Sequence, residues 1–412
     1  MRKAAPSPEG SFGRVFANPE ARGLLIAQAA SEIGDQMARV AMALLVLAET
    51  GSTLASALAL AVAYVPGILG AALLGSLADR FPRRTVMLVC DLGRAVLVGG
   101  LALLVRGSAP LLVLFALLLA SEFMSLPFGT ARASLYPDVL PVRSDYVTAQ
   151  GLSRSLYQST QVFGAILGGG LVQLLGASTA LALDAVTFGV SFLLIVRFVQ
   201  PRPSADERGT SARRILADLR VGIGELWRDP ARRVITLLGW ASAAFLIAPE
   251  AVAFAYRPEL TPLIGGVLLA AVPAGVTVGG ILMTRVPMRD QLRFLLPLAA
   301  LSCLPLFATS INPPPIVAAA LWFCAGVLQA FMLTVISAVT LLTPQERRGR
   351  VLGVAGAGFS AATAVSFAVV GWLAGQPSIG PAKAVSLSGA AGLIIVAGLR
   401  TVWPYDDIEA AA

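Results

Sequence analysis

The chain has 412 residues, of which 57% are hydrophobic and only 13% are charged, and its mean hydropathy is +0.79. Soluble domains carry about 45–50% apolar and about 25% charged residues, so this composition excludes a water-soluble protein and indicates a polytopic membrane protein. The chain contains no histidine, and its two lysines do not follow a glycine. Histidine-based metal and catalytic sites and a phosphate-binding GxxxxGK[ST] loop are thereby excluded, and we expect no metal, no cofactor and no ATP site.

The N-terminal stretch precedes the first apolar run. Residues 1–21 are polar and rich in Pro, Ser and Gly, and they lack the hydrophobic core of a signal peptide. We therefore predict an uncleaved cytoplasmic tail.

Beyond this tail, apolar stretches recur that are long enough to cross a bilayer, which takes roughly 20 residues. The predicted spans are 23–48, 54–78, 85–105, 111–134, 147–175, 178–199, 234–256, 262–283, 292–310, 316–342, 351–375 and 381–400. An even number of spans places both termini on one side of the membrane.

The basic residues orient these spans. Of the 31 Lys and Arg residues, 25 fall in the two tails, in the even-numbered connections or within three residues of the span ends next to them. By the positive-inside rule these segments are cytoplasmic, so both termini are predicted to be cytoplasmic. The net charge of +8 then reflects topology and not nucleic-acid binding. The excess of Arg over Lys is typical of a GC-rich bacterial genome, and we expect the inner membrane of a bacterium.

One connection, residues 200–233, is long. It begins with a Pro-containing linker and continues with apolar residues at helical spacing, from Ile215 to Trp227, among arginines. This pattern predicts an amphipathic helix at the membrane surface, although a plain tether fits as well. The linker divides the chain into six-helix bundles at 22–199 and 234–400, and a cytoplasmic tail follows at 401–412.

Two loops repeat 205 residues apart, Gly75–Arg84 after the second span and Gly280–Arg289 after the eighth. Five of their ten positions are identical. A repeat of half the chain length at the same loop of each half implies two related bundles.

The first of these loops, GSLADRFPRR, resembles the signature loop of the major facilitator superfamily, Gly-x-x-x-Asp-Arg-x-Gly-Arg-Arg, with Pro82 in place of Gly. The stretches Phe128–Arg132 and Arg347–Val351 resemble the subgroup of macrolide-efflux and siderophore-exporting members. The resemblance implies an all-α membrane protein whose twelve transmembrane helices form two pseudo-symmetric six-helix bundles. In that fold the first, fourth, seventh and tenth helices line the central cavity.

The resemblance also implies that this loop is a conformational latch on the cytoplasmic side, which in the family holds the outward-open state against the eleventh span. The latch residues are Gly75, Asp79, Arg80, Arg83 and Arg84. An aspartate at a helix end can pair with arginines or with the positive end of a helix dipole. The alternative is that the arginines only fix topology. In the fifth span, Gly164, Gly168 and Gly169 resemble the antiporter motif Gly-Pro-x-x-Gly-Gly, with Ala165 in place of Pro.

Charged residues within the spans are costly, by about 2.5–3.5 kcal/mol each at mid-bilayer, and therefore mark candidate sites. Gln28, Glu32, Asp35 and Arg39 form one polar stripe on the first span, and Asp35 and Glu122 fall near the midplane. We predict that Asp35 and Glu122, with Glu32 and Arg39, couple transport to protons. An alternative is that pairs such as Asp91 and Arg94, three residues apart, only fix helix packing.

Polar and aromatic residues in the spans are candidates to line a substrate cavity. They are Gln28, Arg94, Gln158, Gln161, Trp240, Glu250 and Gln329. The predicted function is a secondary transporter, a proton-coupled antiporter that exports a lipophilic or amphipathic small molecule by alternating access. A proton-coupled importer of a small nutrient is the alternative, and a non-transporting receptor stays open. The missing histidine argues against a membrane-embedded enzyme. The expected partners are a small-molecule substrate, protons and the lipid bilayer, and we expect a monomer.

Overall fold

The computed structural model describes residues 8–68, 81–107, 109–202 and 212–404. In these ranges the secondary structure is helical, and no strand occurs in them, which confirms the predicted all-α class. Three predicted latch residues, Gly75, Asp79 and Arg80, lie outside the described residues.

The helices are numbered along the chain. The first seven are α1 (Pro8–Ala17), α2 (Pro19–Thr50), α3 (Thr53–Ala61), α4 (Arg83–Leu104), α5 (Leu111–Val139), α6 (Arg143–Leu175) and α7 (Ala177–Phe198). They are followed by α8 (Ala212–Arg228), α9 (Pro230–Leu246), α10 (Ala248–Val252), α11 (Pro262–Met283) and α12 (Met288–Arg293). The last are α13 (Leu295–Ala308), α14 (Pro315–Gln329), α15 (Phe331–Leu341), α16 (Arg348–Ala374) and α17 (Gly380–Thr401).

Within the described residues, eight helical segments are long and apolar enough to cross a membrane. The helices α2 and α6 are longer still, with 32 and 33 residues, but carry polar and charged side chains along their length. Two shorter apolar helices cover Thr53–Ile68 and Leu295–Ile311. Each of the predicted spans is therefore mainly helical in its described part, although the span predicted at 234–256 ends in a turn after Val252. A crossing number of twelve stays a prediction for the four segments outside the group of eight.

Local sequence signals account for where several helices begin. Asp229 caps α9 by accepting a hydrogen bond from the Arg232 backbone N–H at 2.8 Å, and Pro230 follows at the first helical position. Thr261 caps α11 in the same way, again with a proline next. A capping side chain satisfies a backbone donor that has no partner within the helix, and proline has no such donor to lose.

By packing, the chain divides into two compact units. Unit 1 comprises residues 1–38, 71–164 and 178–210, and unit 2 comprises 39–70, 165–177 and 211–412. The boundary falls within α2 and α6, so the units follow packing, whereas the predicted bundles at 22–199 and 234–400 follow the chain. The predicted domain boundaries therefore stay a prediction.

The core of unit 1 includes part of the N-terminal tail. Val15 of α1 is fully buried in a cluster with Leu24, Met87 and Leu135. Both carboxylate oxygens of Asp145, at the start of α6, accept hydrogen bonds from the Arg14 guanidinium, at 2.6 to 3.1 Å. The sequence predicts only a polar tail here, but the first seventeen residues include a helix that is packed against the bundle.

Unit 2 depends on close helix contacts at glycines. A Cβ at Gly169 would overlap the Pro262 carbonyl of α11, and one at Gly371 of α16 would overlap Ala57 of α3. Small residues let helix backbones approach closely, which is the main way that membrane helices gain packing energy. Residues from the first half of the chain are thereby packed against α11 and α16.

We predict that Gly371→Ala destabilises the protein, because the added methyl has no space beside Ala57. Overpacking of this kind costs about 1–3 kcal/mol. The measurement is the thermal unfolding midpoint of purified protein. The control is Gly356→Ala on the same helix, where no atom lies within 4 Å of the added Cβ. Equal midpoints for the two variants would contradict this account of the contact.

The linker helix predicted within 200–233 is present as α8, and it is fixed to unit 2. The Glu225 carboxylate is buried and forms ion pairs with Arg228, at 2.8 Å, and with Arg347, just before α16. The hydrogen bond from Arg347 lowers the pKa of Glu225. The carboxylate thus stays charged at neutral pH, and its contribution to stability is lost only as the pH falls through that lowered pKa.

Replacing Glu225 with Gln should free α8 from the start of α16, because its arginine partners lose their counter-charge. The expected result is faster tryptic cleavage at Arg220 in α8, measured on purified protein at neutral pH. Glu259→Gln serves as the control, since Glu259 is an exposed residue that pairs with Arg257 at 3.7 Å elsewhere in unit 2. An unchanged cleavage rate in Glu225→Gln would show that the ion pairs do not hold the helix.

Candidate functional site

The polar stripe of α2 faces other helices of unit 1. Gln28 is 1% exposed, and its amide nitrogen donates to the Ser153 carbonyl of α6 at 3.0 Å and to Glu32 at 2.9 Å. The Ser153 hydroxyl donates back to the Gln28 amide oxygen at 2.8 Å. These hydrogen bonds between Gln28 and Ser153 join α2 to α6. Arg39, also on the stripe, falls in unit 2 and is half-buried.

Glu32 lies one helical turn further along and pairs with a basic residue of α5. Its carboxylate lies 3.5 Å from the Arg132 guanidinium and accepts a hydrogen bond from Thr160 of α6 at 3.2 Å. In the sequence, Arg132 counts among the cytoplasmic loop residues. In the structure α5 continues to Val139, so Arg132 lies within a helix and serves as a counter-charge to Glu32.

At the centre of unit 1, Arg94 of α4 is 1% exposed. Its guanidinium forms an ion pair with Asp35 and donates a hydrogen bond to the Ser31 hydroxyl at 3.1 Å. The Phe188 ring of α7 lies 4.2 Å from the guanidinium carbon, in cation–π geometry. The ion-pair partner of Arg94 thus comes from another helix, while Asp91, three residues before it on α4, also interacts with it electrostatically.

Three further acids surround this ion pair. Glu122 of α5 and Asp184 of α7 interact electrostatically with Arg94. Asp91 is fully buried, and one of its carboxylate oxygens accepts a hydrogen bond from Ser191 at 2.6 Å. One oxygen each of Asp91 and Asp184 is buried without a hydrogen-bond partner in the described part of the chain. Unit 1 thus brings five acids, on α2, α4, α5 and α7, near two arginines.

The remaining cavity candidates differ in whether their polar groups have hydrogen-bond partners. The Trp240 indole N–H donates to the Ala355 carbonyl of α16 at 2.8 Å, and Gly358 packs against its ring. Gln329 ends α14 next to a helix break, and its amide oxygen is buried without a partner among the described residues. Glu250 lies in α10, after a break at Ile247, and is half-buried. Gln158 and Gln161 are half-buried on α6. Trp240 is therefore held by packing, whereas Gln329 keeps a free acceptor.

The described latch residues contact helices of their own unit. Arg83 forms an ion pair with Asp138, at the end of α5, at 2.5 Å. Arg84 donates to the Val196 carbonyl, near the end of α7, at 2.9 Å. These contacts fit the alternative in which the arginines fix the cytoplasmic ends of helices. The latch itself stays a prediction, since its aspartate is outside the described residues.

The glycines of the antiporter-like motif are buried contact points. A Cβ at Gly164 would overlap Gln36 of α2 in unit 1, and one at Gly169 would overlap α11 in unit 2. Gly168 is also buried. Their spacing along α6 thus matches close helix packing, while a role in antiport stays a prediction.

Several residues of the network were not singled out from the sequence. They are the hydrogen-bonding residues Ser31, Ser153, Thr160 and Ser191, the counter-ion Arg132 and the aromatic Phe188. Serine and threonine are common in membrane helices, so their residue type carries no signal. Arg132 could have been found, because it lies two residues before the end of the predicted span 111–134, where an arginine side chain can point back into the bundle.

Helices of this length, with charged side chains buried between them, define a polytopic membrane protein. The comparison with protein families matches residues 24–367 to the Major Facilitator Superfamily. The chain belongs to this family of membrane transporters, which confirms the resemblance seen in the sequence and the expectation that the protein is not an enzyme.

Two relatives illustrate the subgroup. The chain is 26% identical over 364 residues to the multidrug efflux pump Tap of Mycolicibacterium fortuitum, covering 85% of this chain and 88% of Tap. It is 27% identical over 295 residues to the uncharacterised MFS-type transporter YkuC of Bacillus subtilis, covering 68% of each chain.

Among solved structures, a POT family transporter in complex with 5-aminolevulinic acid superposes with a TM-score of 0.76 at 10% identity, covering 93% of this chain and 96% of the transporter. At such low identity this similarity concerns the fold alone.

The Asp35–Arg94 pair generates a prediction for stability. Removing one partner of a buried ion pair costs about 3–5 kcal/mol because it leaves a buried charge without its partner. Asp35→Asn and Arg94→Gln should therefore each lower the unfolding midpoint of purified protein, and the double variant should lose much less than the two losses combined. Strictly additive losses would contradict a direct interaction between the two side chains.

Proposed function

We propose that this chain is a proton-coupled antiporter that exports a lipophilic or amphipathic small molecule across the inner membrane of a bacterium. Membership of a transporter family and relatives that include the multidrug efflux pump Tap support export. The buried acids of unit 1 support proton coupling. The distribution of the basic residues supports a topology with both termini in the cytoplasm, and the chain is proposed to work as a monomer.

The charge balance of the buried network carries the proposal. Glu32, Asp35, Asp91, Glu122 and Asp184 face two guanidinium groups, those of Arg94 and Arg132. With every carboxyl group ionised, these five acids and two guanidinium groups of the described residues carry three net negative charges at membrane depth, where a charge costs about 2.5–3.5 kcal/mol. Binding of protons by the carboxyl groups removes this cost. When the network becomes exposed to water on one side of the membrane, the carboxyl groups can ionise again and release the protons. Alternating exposure thus binds and releases protons.

Arg94 links the protonation of Asp35 to contacts between helices. While Asp35 is ionised, it holds the guanidinium by an ion pair between α2 and α4. Protonation of Asp35 removes that attraction and leaves Arg94 to the neighbouring carboxylates Glu122 and Asp184. The protonation state thereby changes which helices are bound together, which is the requirement for a proton to drive a conformational step.

Contacts within unit 2 support alternating access. Residues of α3 pack against the end of α16, and residues 165–177 pack against the start of α11. In the proposed topology these segments lie on the extracellular side. Their contacts would close that side in this conformation and open in the other, and the small residues at the contact leave few side chains to rearrange.

The cargo is proposed to be neutral or cationic. Glu250 is a half-buried acid of α10 with no ion pair among the described residues, and Gln329 holds a free acceptor at a helix break. A cavity with such acceptors and few cations favours neutral or positively charged molecules over anions. An importer of anionic nutrients would require more arginines in these spans.

Glu122→Gln should separate proton coupling from substrate binding. In proteoliposomes with an imposed pH gradient, we expect the variant to lose at least about 90% of uphill dye transport, because the amide cannot bind and release the proton. Exchange of labelled for unlabelled dye without a gradient should continue, since that reaction needs no proton. Glu259→Gln is the matched control on an exposed acid.

Two results would count against the proposal. Uphill transport at the wild-type rate in Glu122→Gln would remove this residue from proton coupling. Dye or nutrient movement in the same direction as the protons, in wild-type proteoliposomes, would favour the importer instead.

A further inference from the structure

The linker helix α8 has one face buried in unit 2. A Cβ at Gly222 would overlap the Arg350 carbonyl of α16, Leu226 is 1% exposed, and Glu225 pairs with Arg347. These three residues lie on one side of the helix, because Glu225 and Leu226 follow Gly222 by three and four residues. The orientation of α8 about its own axis is therefore fixed by packing.

This orientation leaves an apolar stripe uncovered. Leu219, Ile223 and Trp227 follow one another at intervals of four residues, and each is 41 or 42% exposed. The neighbouring stripe consists of Arg220, Gly224 and Arg228, again four residues apart, and the Arg228 side chain is 76% exposed. An apolar stripe edged by arginines is the pattern of a helix that lies in the headgroup layer of a membrane.

The N-terminal helix α1 repeats this arrangement in unit 1. Val15 is buried in the core and Arg14 is bound to Asp145, which together fix the helix. Phe12 and Phe16, four residues apart, remain 47% exposed. Two unrelated segments of the chain thus share the same design, a helix bound to its unit by an ion pair and presenting large apolar side chains outward.

The depth of both helices relative to the bilayer follows from the short connections that join them to the next helix. Only Asn18 separates α1 from the first long helix, and only Asp229 separates α8 from α9, which belongs to a segment long and apolar enough to cross the membrane. A single residue spans at most about 3.6 Å, so each helix lies where a membrane-spanning helix begins. At that level the environment of an exposed side chain is lipid headgroup and upper acyl chain.

We propose that α1 and α8 are lipid-binding helices that insert Phe12, Phe16, Leu219, Ile223 and Trp227 into the cytoplasmic leaflet, with Arg220 of α8 bound to an anionic phospholipid headgroup. The leaflet rests on the topology assumed in the proposed function, but insertion itself does not depend on transport. Basic residues close to an anionic surface contribute about 1 kcal/mol each, so α8 is expected to prefer anionic lipid.

The test uses paired cysteine positions in nanodiscs. Cys324, which is exposed, is first replaced by Ala, while Cys90 and Cys303 are buried and stay. A polarity-sensitive fluorophore is then attached at Ile223→Cys or at Gly224→Cys, where an added Cβ meets no atom within 4 Å. Phe12→Cys and Gly13→Cys form the corresponding pair on α1, and Gly13 is equally open.

With phosphatidylcholine brominated near the headgroup, the probe at position 223 should be quenched several-fold more strongly than the probe at 224, and that at 12 more strongly than that at 13. Adding phosphatidylglycerol should increase quenching at 223, and Arg220→Gln should reduce that increase. Equal, weak quenching at both members of each pair would overturn the proposal and leave these faces to a protein partner. Because the assay measures no transport, a failed export assay does not affect it, and its own failure leaves the transport proposal intact.

Discussion

A guanidinium buried among membrane helices must have a counter-charge, and this requirement organises unit 1. Arg94 is placed on α4, its ion-pair partner Asp35 on α2 and its aromatic neighbour Phe188 on α7. Satisfying one side chain therefore fixes three helices relative to one another. In the proposed mechanism, the excess of acids around Arg94 gives the network a chemical function beyond packing, because protons relieve an excess of negative charge at membrane depth.

Apart from the ion pairs of Glu225, the helix contacts described in unit 2 are of a different kind. They are made at glycines such as Gly169 and Gly371, where only a backbone carbonyl or a small alanine side chain lies at the contact. Packing of this kind contributes modest energy per contact and can be broken without leaving a buried charge. A protein that has to alternate between two conformations benefits from placing its ion pairs within a unit and its reversible contacts at small residues.

The sequence predicts those features that depend on composition and period. Hydropathy locates the spans, and the bounds of α11 match the predicted span at 262–283. The helical spacing also places Glu32 and Asp35 on one stripe of α2, and in the structure both pair with arginines of other helices. Partners across helices are not predictable in this way, because the contact of Asp35 with Arg94 depends on tertiary packing and not on spacing. The helix α1 is missed because its ten residues, with two glycines, carry a weak helical signal, and it is stabilised by contacts that its Val15 and Arg14 make with residues outside the helix.

The proposed antiport requires protons to move in the direction opposite to the substrate, and one measurement tests this coupling directly. Wild-type protein is reconstituted in liposomes that contain a pH-sensitive dye, with an acidic interior, and a cationic lipophilic compound is added outside. Antiport predicts that the interior pH rises as the compound accumulates inside, at a fixed ratio of protons to substrate. Accumulation with no change in interior pH beyond that of protein-free liposomes would contradict proton coupling and, with it, the role given to the acids around Arg94.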